Sequence, residues 1–191
     1  MAIDRVKFKQ MVHYICWKCD NPQTLGATKL NKIIWFAERT AFLRMGKSMT
    51  GVRFVKQERG PVPNAILPIL RELEAERALA VRDTRSISYL KKEYIALRDP
   101  DFDAFTSREV SLLDAVIEAV CKNHTAGSIS KLSHDEVWDM AKIGEEIPLT
   151  AILGIRGEIQ EEDIQRAKNI IPLSTNVEFV HRNQVRSAPV H

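Results

Sequence analysis

The sequence predicts an α+β fold, predominantly helical. A central buried helix at 28–46 is surrounded by helices, with a small antiparallel sheet from about 52–56, 79–84 and 87–97. Three observations predict it. Residues 28–46 are apolar nearly all round at the 3.6-residue period, which places that helix at the centre of its domain. Amphipathic stretches of helical period precede and follow it. Between them lie short β-branched and aromatic runs bounded by Gly, Pro and Ser. The chain has 191 residues, 45% apolar and 28% charged, with eight glycines and eight prolines. That composition is globular and excludes disordered or collagen-like chains. A single domain over 1–171 and a loosely held tail over 172–191 are expected.

The first helix is predicted from Asp4 to about Asp20, since Phe8, Met11, Val12, Ile15, Cys16 and Cys19 share one face. Asp4 suits the N-cap, and Asn21-Pro22 is expected to stop the helix. Thr28 is the predicted N-cap of the second helix and Gly46 its terminator. Lys29, Lys32, Arg39, Arg44 and Lys47 occupy the one sector of this helix that is not apolar. Gly60-Pro-Val-Pro63 dictates a stiff extended segment after a short strand. A third helix is expected over Asn64–Leu79, with Pro68 tolerable only in a first turn. A hairpin follows, centred on Thr84-Arg85-Ser86. Thr106-Ser-Arg-Glu109 is a capping box that opens the fourth helix, running to about Lys122. Shorter helices are expected at 128–133, 135–142 and 160–170, and a short strand at Val177–Val180.

The net charge of +3 conceals an asymmetry. Residues 1–98 carry 19 Lys and Arg against 9 Asp and Glu, whereas residues 99–191 carry 9 against 16. Such a split marks either a basic binding surface or two halves that face each other. The longest apolar run, Ile33–Ala37, is far shorter than the ~20 residues of a membrane helix. Three cysteines and a charged N-terminus without a signal-peptide core fit a cytoplasmic protein, with no membrane partner.

Every candidate catalytic or metal motif lacks a necessary part. Cys16-Trp-Lys-Cys19 supplies two ligands where structural zinc needs four, and its thiols fall on an apolar helix face, as core cysteines do. Gly46-Lys-Ser48 has Ala41 where a phosphate loop needs glycine, and follows a helix rather than a strand. Asp99-Pro-Asp-Phe-Asp103 has Ala104 and Val110 where a calcium loop needs Gly and Glu. His134-Asp135-Glu136 is the one His–carboxylate run, a pattern that usually serves turns and caps. The sequence thus predicts no catalytic residue, no metal site and no cofactor.

The order of short motifs carries more. Lys29-Leu30-Asn-Lys-Ile-Ile-Trp35-Phe36-Ala37 is followed by Gly46, Thr50-Gly51 and Gly60-Pro61-Val62-Pro63. Leu70-Arg-Glu-Leu73, Leu97-Arg-Asp-Pro-Asp101, Phe105-Thr-Ser-Arg-Glu109 and Leu132-Ser-His-Asp-Glu136 with Trp138 complete the series. From Leu25 to Ala141 this resembles the Panacea-domain family of SocA-like, phage-associated antitoxins. Where that family usually has an aromatic residue before Gly-Pro, this chain has Arg59. The resemblance implies a non-enzymatic antitoxin of a toxin–antitoxin system that binds a cognate toxin encoded beside it. The motif residues themselves are fold-building types: apolar helix positions, turn glycines and prolines.

Partner contacts are therefore expected from exposed cations, and Arg53, Lys56 and Arg59, which flank Gly60-Pro61, are the candidates. Two other readings stay open. A helix at 64–79 followed by a hairpin has the order of a winged helix, with Arg71, Arg77, Arg82, Arg85, Lys91 and Lys92 for phosphate. Glu72, Glu74 and Glu76 on that helix make a nucleic-acid partner the less favoured of the two partner classes. The third reading is an adaptor that delivers a partner to a protease.

Overall fold

In the computed structural model, helix α2 (Pro22–Met45) runs through the middle of the molecule, and the other elements are laid against it. The structure describes residues 2–19, 21–85 and 90–151. Leu30, Ile33, Ile34, Trp35, Ala37 and Ala41 of α2 are buried to within 1% of their surface, as the all-round apolar pattern predicts. Its C-terminus is capped by Gly46 in the left-handed conformation, with φ 70°.

The start of α2 differs from the expectation. Asn21-Pro22 does not end a helix but begins one: Asn21 accepts from the backbone N–H of Gln23 at 2.9 Å, and Pro22 takes the first helical position. The chain then kinks at Gly26 (φ 59°, ψ 165°) before the long buried stretch. Thr28 is therefore interior, not a cap.

Helix α1 (Arg5–Lys18) starts where predicted, with Asp4 accepting from Lys7 N–H at 3.0 Å. It packs on α2 through Phe8, Met11, Val12 and Ile15, all fully buried. The capping box of α4 (Ser107–Asn123) is complete: Thr106 accepts from Glu109 N–H, and Glu109 accepts from Thr106 N–H at 2.9 Å. Its Leu113, Val116 and Val120 close the core against α2.

Among the described residues the β structure forms two sheets, not the single sheet expected. Strand β1 (Phe54–Gln57) pairs antiparallel with β2 (Gly60–Pro63), so the stiff Gly-Pro segment is itself a strand. On its other edge β1 pairs with β5 (Glu146–Ile147), a short strand that the sequence reading lacked. The second sheet is the hairpin β3 (Leu79–Arg85) and β4 (Leu90–Ala96). Helix α3 is shorter than expected, Ile66–Ala75, which puts Pro68 in the first turn where it costs no hydrogen bond. Helices α5 (Ala126–Leu132) and α6 (Glu136–Met140) follow α4. The helix expected at 160–170, the strand at 177–180 and the tail at 172–191 lie outside the described residues.

Part of the charge asymmetry is answered within the fold. Lys7–Glu109, Lys18–Asp114, Arg39–Asp135 and Arg53–Glu146 pair a cation of the first half with an acid of the second. Within the helix–hairpin unit, Arg82 pairs with Glu93, Lys92 with Asp83 and Arg98 with Glu76. Arg5 and Lys9 of α1 pair with Glu72 and Glu76 of that unit. Thr106→Ala removes one arm of the α4 capping box, and an equilibrium urea titration should show a loss of about 1 kcal/mol with an unchanged slope.

Candidate functional site

Part of the motif closes on Lys32, which the sequence places among the solvent-facing cations of α2. Lys32 is 1% exposed, and its ammonium donates to the Pro61 carbonyl at 2.7 Å. An ammonium held out of water needs such an acceptor. Burial pushes its pKa down to about 7.

Gly60 makes this contact possible. Its φ is 95°, and a Cβ there would lie 2.6 Å from Lys32 Nζ and collide with the Ser133 hydroxyl. Only a residue without a side chain lets the hairpin settle on the amine. From the other side, Ser130 donates to the Arg59 carbonyl at 2.9 Å and Ser133 donates to the Ser130 carbonyl at 2.7 Å. The end of α5 is thereby tied to the β1–β2 turn.

Helix α6 completes the cluster. Asp135 caps it by accepting from Trp138 N–H at 3.0 Å, and the same carboxylate is ion-paired with Arg39 of α2. The Trp138 indole N–H donates to the Gln57 carbonyl at 3.2 Å. His134 stacks on the Trp138 ring with centroids 3.7 Å apart and planes 4° from parallel. Lys56 Nζ lies 3.9 Å from the same ring centroid. Two groups this close to one ring must occupy its opposite faces, so the indole is sandwiched. Burial lowers the pKa of His134, and Lys32 and Lys56 add to the effect. Its Nε2 is buried without a hydrogen-bond partner.

The three cations proposed from sequence therefore have different fates. Arg53 and Arg59 are exposed; the Arg53 guanidinium lies 3.5 Å from Glu146. Lys56 is not a free surface cation. It is 9% exposed, and its ammonium donates to the carbonyls of Ala141 at 2.9 Å and Asp139 at 3.3 Å. The alternation along β1 turns Phe54 and Lys56 inward and leaves Arg53 and Gln57 out.

The remaining motif residues build the frame. Lys29, 6% exposed, donates to the Cys121 carbonyl at 3.3 Å. Leu30 and Phe36 are core, and Trp35 meets Phe54 edge-on with centroids 4.9 Å apart. Thr50 is buried beside Glu38, whose carboxylate accepts from Met49 N–H at 2.7 Å, from Thr50 N–H at 3.0 Å and from the Thr50 hydroxyl. Burial nonetheless pushes the Glu38 pKa up to about 7. Gly46 and Gly51 line a cleft of about 420 Å³ with Phe42, Arg53, Ile147 and Leu149. Val62 is half-buried on β2.

Sequence reasoning missed Lys32, Glu38, Ser130 and Ser133. The signal for Lys32 was a charged residue inside the motif that carries Trp35 and Phe36. Polar groups inside an otherwise apolar stretch of α2 point to buried partners.

A family model described as "Antitoxin SocA-like, Panacea domain" matches residues 30–139, from the start of the buried stretch of α2 to α6. This chain belongs to that family. No curated protein and no solved structure matches it. The matched span encloses the whole Lys32 cluster, in which Gly60 and Pro61 of the motif cover the buried amine.

Chemically the cluster is a clasp. Lys32 is sealed beneath Gly60 and Pro61, and no substrate reaches its amine unless they move. Among the described residues, no three His, Cys, Asp or Glu gather to hold a metal ion, and no helix is long and apolar enough to cross a membrane.

Two outcomes are expected. Gly60→Ala should cost about 2–4 kcal/mol in thermal or urea unfolding, from overpacking and a positive φ together. For Lys32 the folded pKa is about 7 against the ordinary lysine value of 10.5, so between these the unfolded chain holds more protons. Stability from this group is fully present above the unfolded pKa and is lost as pH falls through the folded one, at up to about 1.4 kcal/mol per pH unit. The stability of wild type relative to Lys32→Met should therefore grow as pH is raised from about 7 to about 10. A difference that stays flat across that range would show that the amine is not depressed.

Proposed function

We propose that this chain neutralises a toxin protein by binding it directly, with no catalytic turnover of its own. The observation that carries the reading is membership of the SocA-like antitoxin family across residues 30–139. The surface beside the Lys32 clasp is the location we propose for it. Met140 and Ile143 are 78% and 61% exposed, and they bracket Ala141, whose carbonyl Lys56 holds. Segment 141–147 runs along β1, with Lys56 N–H donating to Glu145 at 2.8 Å and Gly144 N–H donating to Lys56 at 2.8 Å. Exposed apolar side chains on a braced backbone are preorganised for a partner, because little is left to order on binding. Arg53, which reaches Glu146 of this segment at 3.5 Å, and the exposed Arg59 at the β1–β2 turn would steer an acidic toxin toward it.

The toxin is expected from the adjacent gene. Co-expression should restore growth, and the two proteins should co-purify. Met140→Asp with Ile143→Asp should weaken binding by about ten-fold or more while the circular dichroism of the antitoxin stays unchanged. Arg53→Glu with Arg59→Glu should slow association and flatten its salt dependence. A toxic neighbour that is neither rescued nor co-purified would refute the antitoxin reading. Intact binding by both double variants would refute the location.

A further inference from the structure

Away from the clasp, the C-terminal end of α1 meets the last turns of α4. Cys19 is the C-cap of α1, and Cys121 sits near the end of α4. Each side chain is the leading influence on the ionisation of the other, so the two thiols lie side by side. Both residues line one cleft of about 530 Å³, whose rim carries Lys18, Asp114 and Lys122. Cys19 is 6% exposed, whereas Cys121 is half-buried and open to the cleft.

The Lys29 ammonium is anchored on the Cys121 backbone carbonyl. The neighbouring Cys19 side chain draws the Cys121 thiol below its ordinary range, and the nearby Lys29 charge acts in the same direction. Cys121, with burial, pushes Cys19 up. Cys121 is thus the more readily ionised of the two, and it is also the more open to the cleft. Cys16, one turn earlier in α1, is fully enclosed, and burial alone pushes its thiol up. It lines no part of the cleft described.

We propose that Cys121 and Cys19 form a peroxide-reactive dithiol, with Cys121 the attacking sulfur and Cys19 the resolving one. The Cys121 thiolate attacks the distal oxygen of a hydroperoxide; the O–O bond breaks, the alcohol or water leaves with one proton, and Cys121 becomes a sulfenic acid. The Cys19 sulfur then attacks the Cys121 sulfur, the S–O bond breaks, and water leaves carrying the Cys19 proton. Two electrons pass from the two thiols to the peroxide, and the product is a Cys19–Cys121 disulfide. That bond would fix the end of α1 to α4 across the cleft.

The test uses the full-length reduced protein and hydrogen peroxide as the probe. After treatment and alkylation, intact mass should show two blocked thiols and one free, and peptide mapping should link 19 to 121. Cys19→Ser should halt at the sulfenic acid on Cys121, captured by dimedone. Cys121→Ser should consume peroxide more slowly by about ten-fold or more. Lys29→Met should slow the wild-type reaction without moving the linkage. Three alkylatable thiols after peroxide, a bridge involving Cys16, or unchanged kinetics in Cys121→Ser would each overturn the proposal. The wild-type mapping does not depend on any variant folding, and toxin binding plays no part in it.

Discussion

The fold turns on one polar contact in an apolar place: the ammonium of Lys32 against the carbonyl of Pro61. A lysine on the central helix of a core is costly unless something receives its protons. That requirement fixes the position of the β1–β2 hairpin, because the carbonyl must arrive over the amine. It fixes residue 60, where any side chain would occupy the space between Lys32 and Ser133. The serines of α5 and the Trp138 indole then bind the backbone of the same turn, at Arg59 and Gln57. The backbone of the turn is thereby tied at three successive places, Gln57, Arg59 and Pro61.

The same logic governs the other buried charges of α2. Glu38 gathers the N–H groups of the 49–50 loop, and the Thr50 carbonyl in turn accepts from Asp4 N–H at 2.8 Å. Arg39 reaches Asp135, and Lys29 reaches the end of α4. Helix α2 thus addresses four separate parts of the chain through four ionisable side chains. A purely hydrophobic helix would be less particular, since apolar burial has no direction, whereas a hydrogen bond fixes both distance and angle.

Much of this was legible locally. The capping box at Thr106, the cap at Asp4 and the terminator at Gly46 are short-range signals whose chemistry is complete within four residues. The central position of α2 follows from its apolar circumference. Asn21-Pro22 misled because a proline beside a helix end reads equally as the stop of the helix before it and as the first residue of the helix after it. The second sheet and β5 were illegible because two residues, Glu146 and Ile147, form a strand only by pairing with β1, some 90 positions earlier. Lys56 shows the limit for the site. Nothing in its neighbours reveals that Trp138 and the carbonyls of α6 enclose it. Charge alone could not separate it from Arg53 and Arg59.

The division of charge along the chain has a consequence for biosynthesis. The acids that answer Lys7, Lys18, Arg39 and Arg53 all lie beyond residue 108, as do the serines of α5 that hold the Gly60 turn. While the ribosome is still extending the first half, α2 has neither its α4 face covered nor its cations neutralised. The nascent segment carries an excess of ten positive charges and an apolar helix without a partner. Productive closure must wait until the α4–α6 region clears the exit tunnel, so the first half of this protein is exposed to proteases and chaperones for most of its own translation.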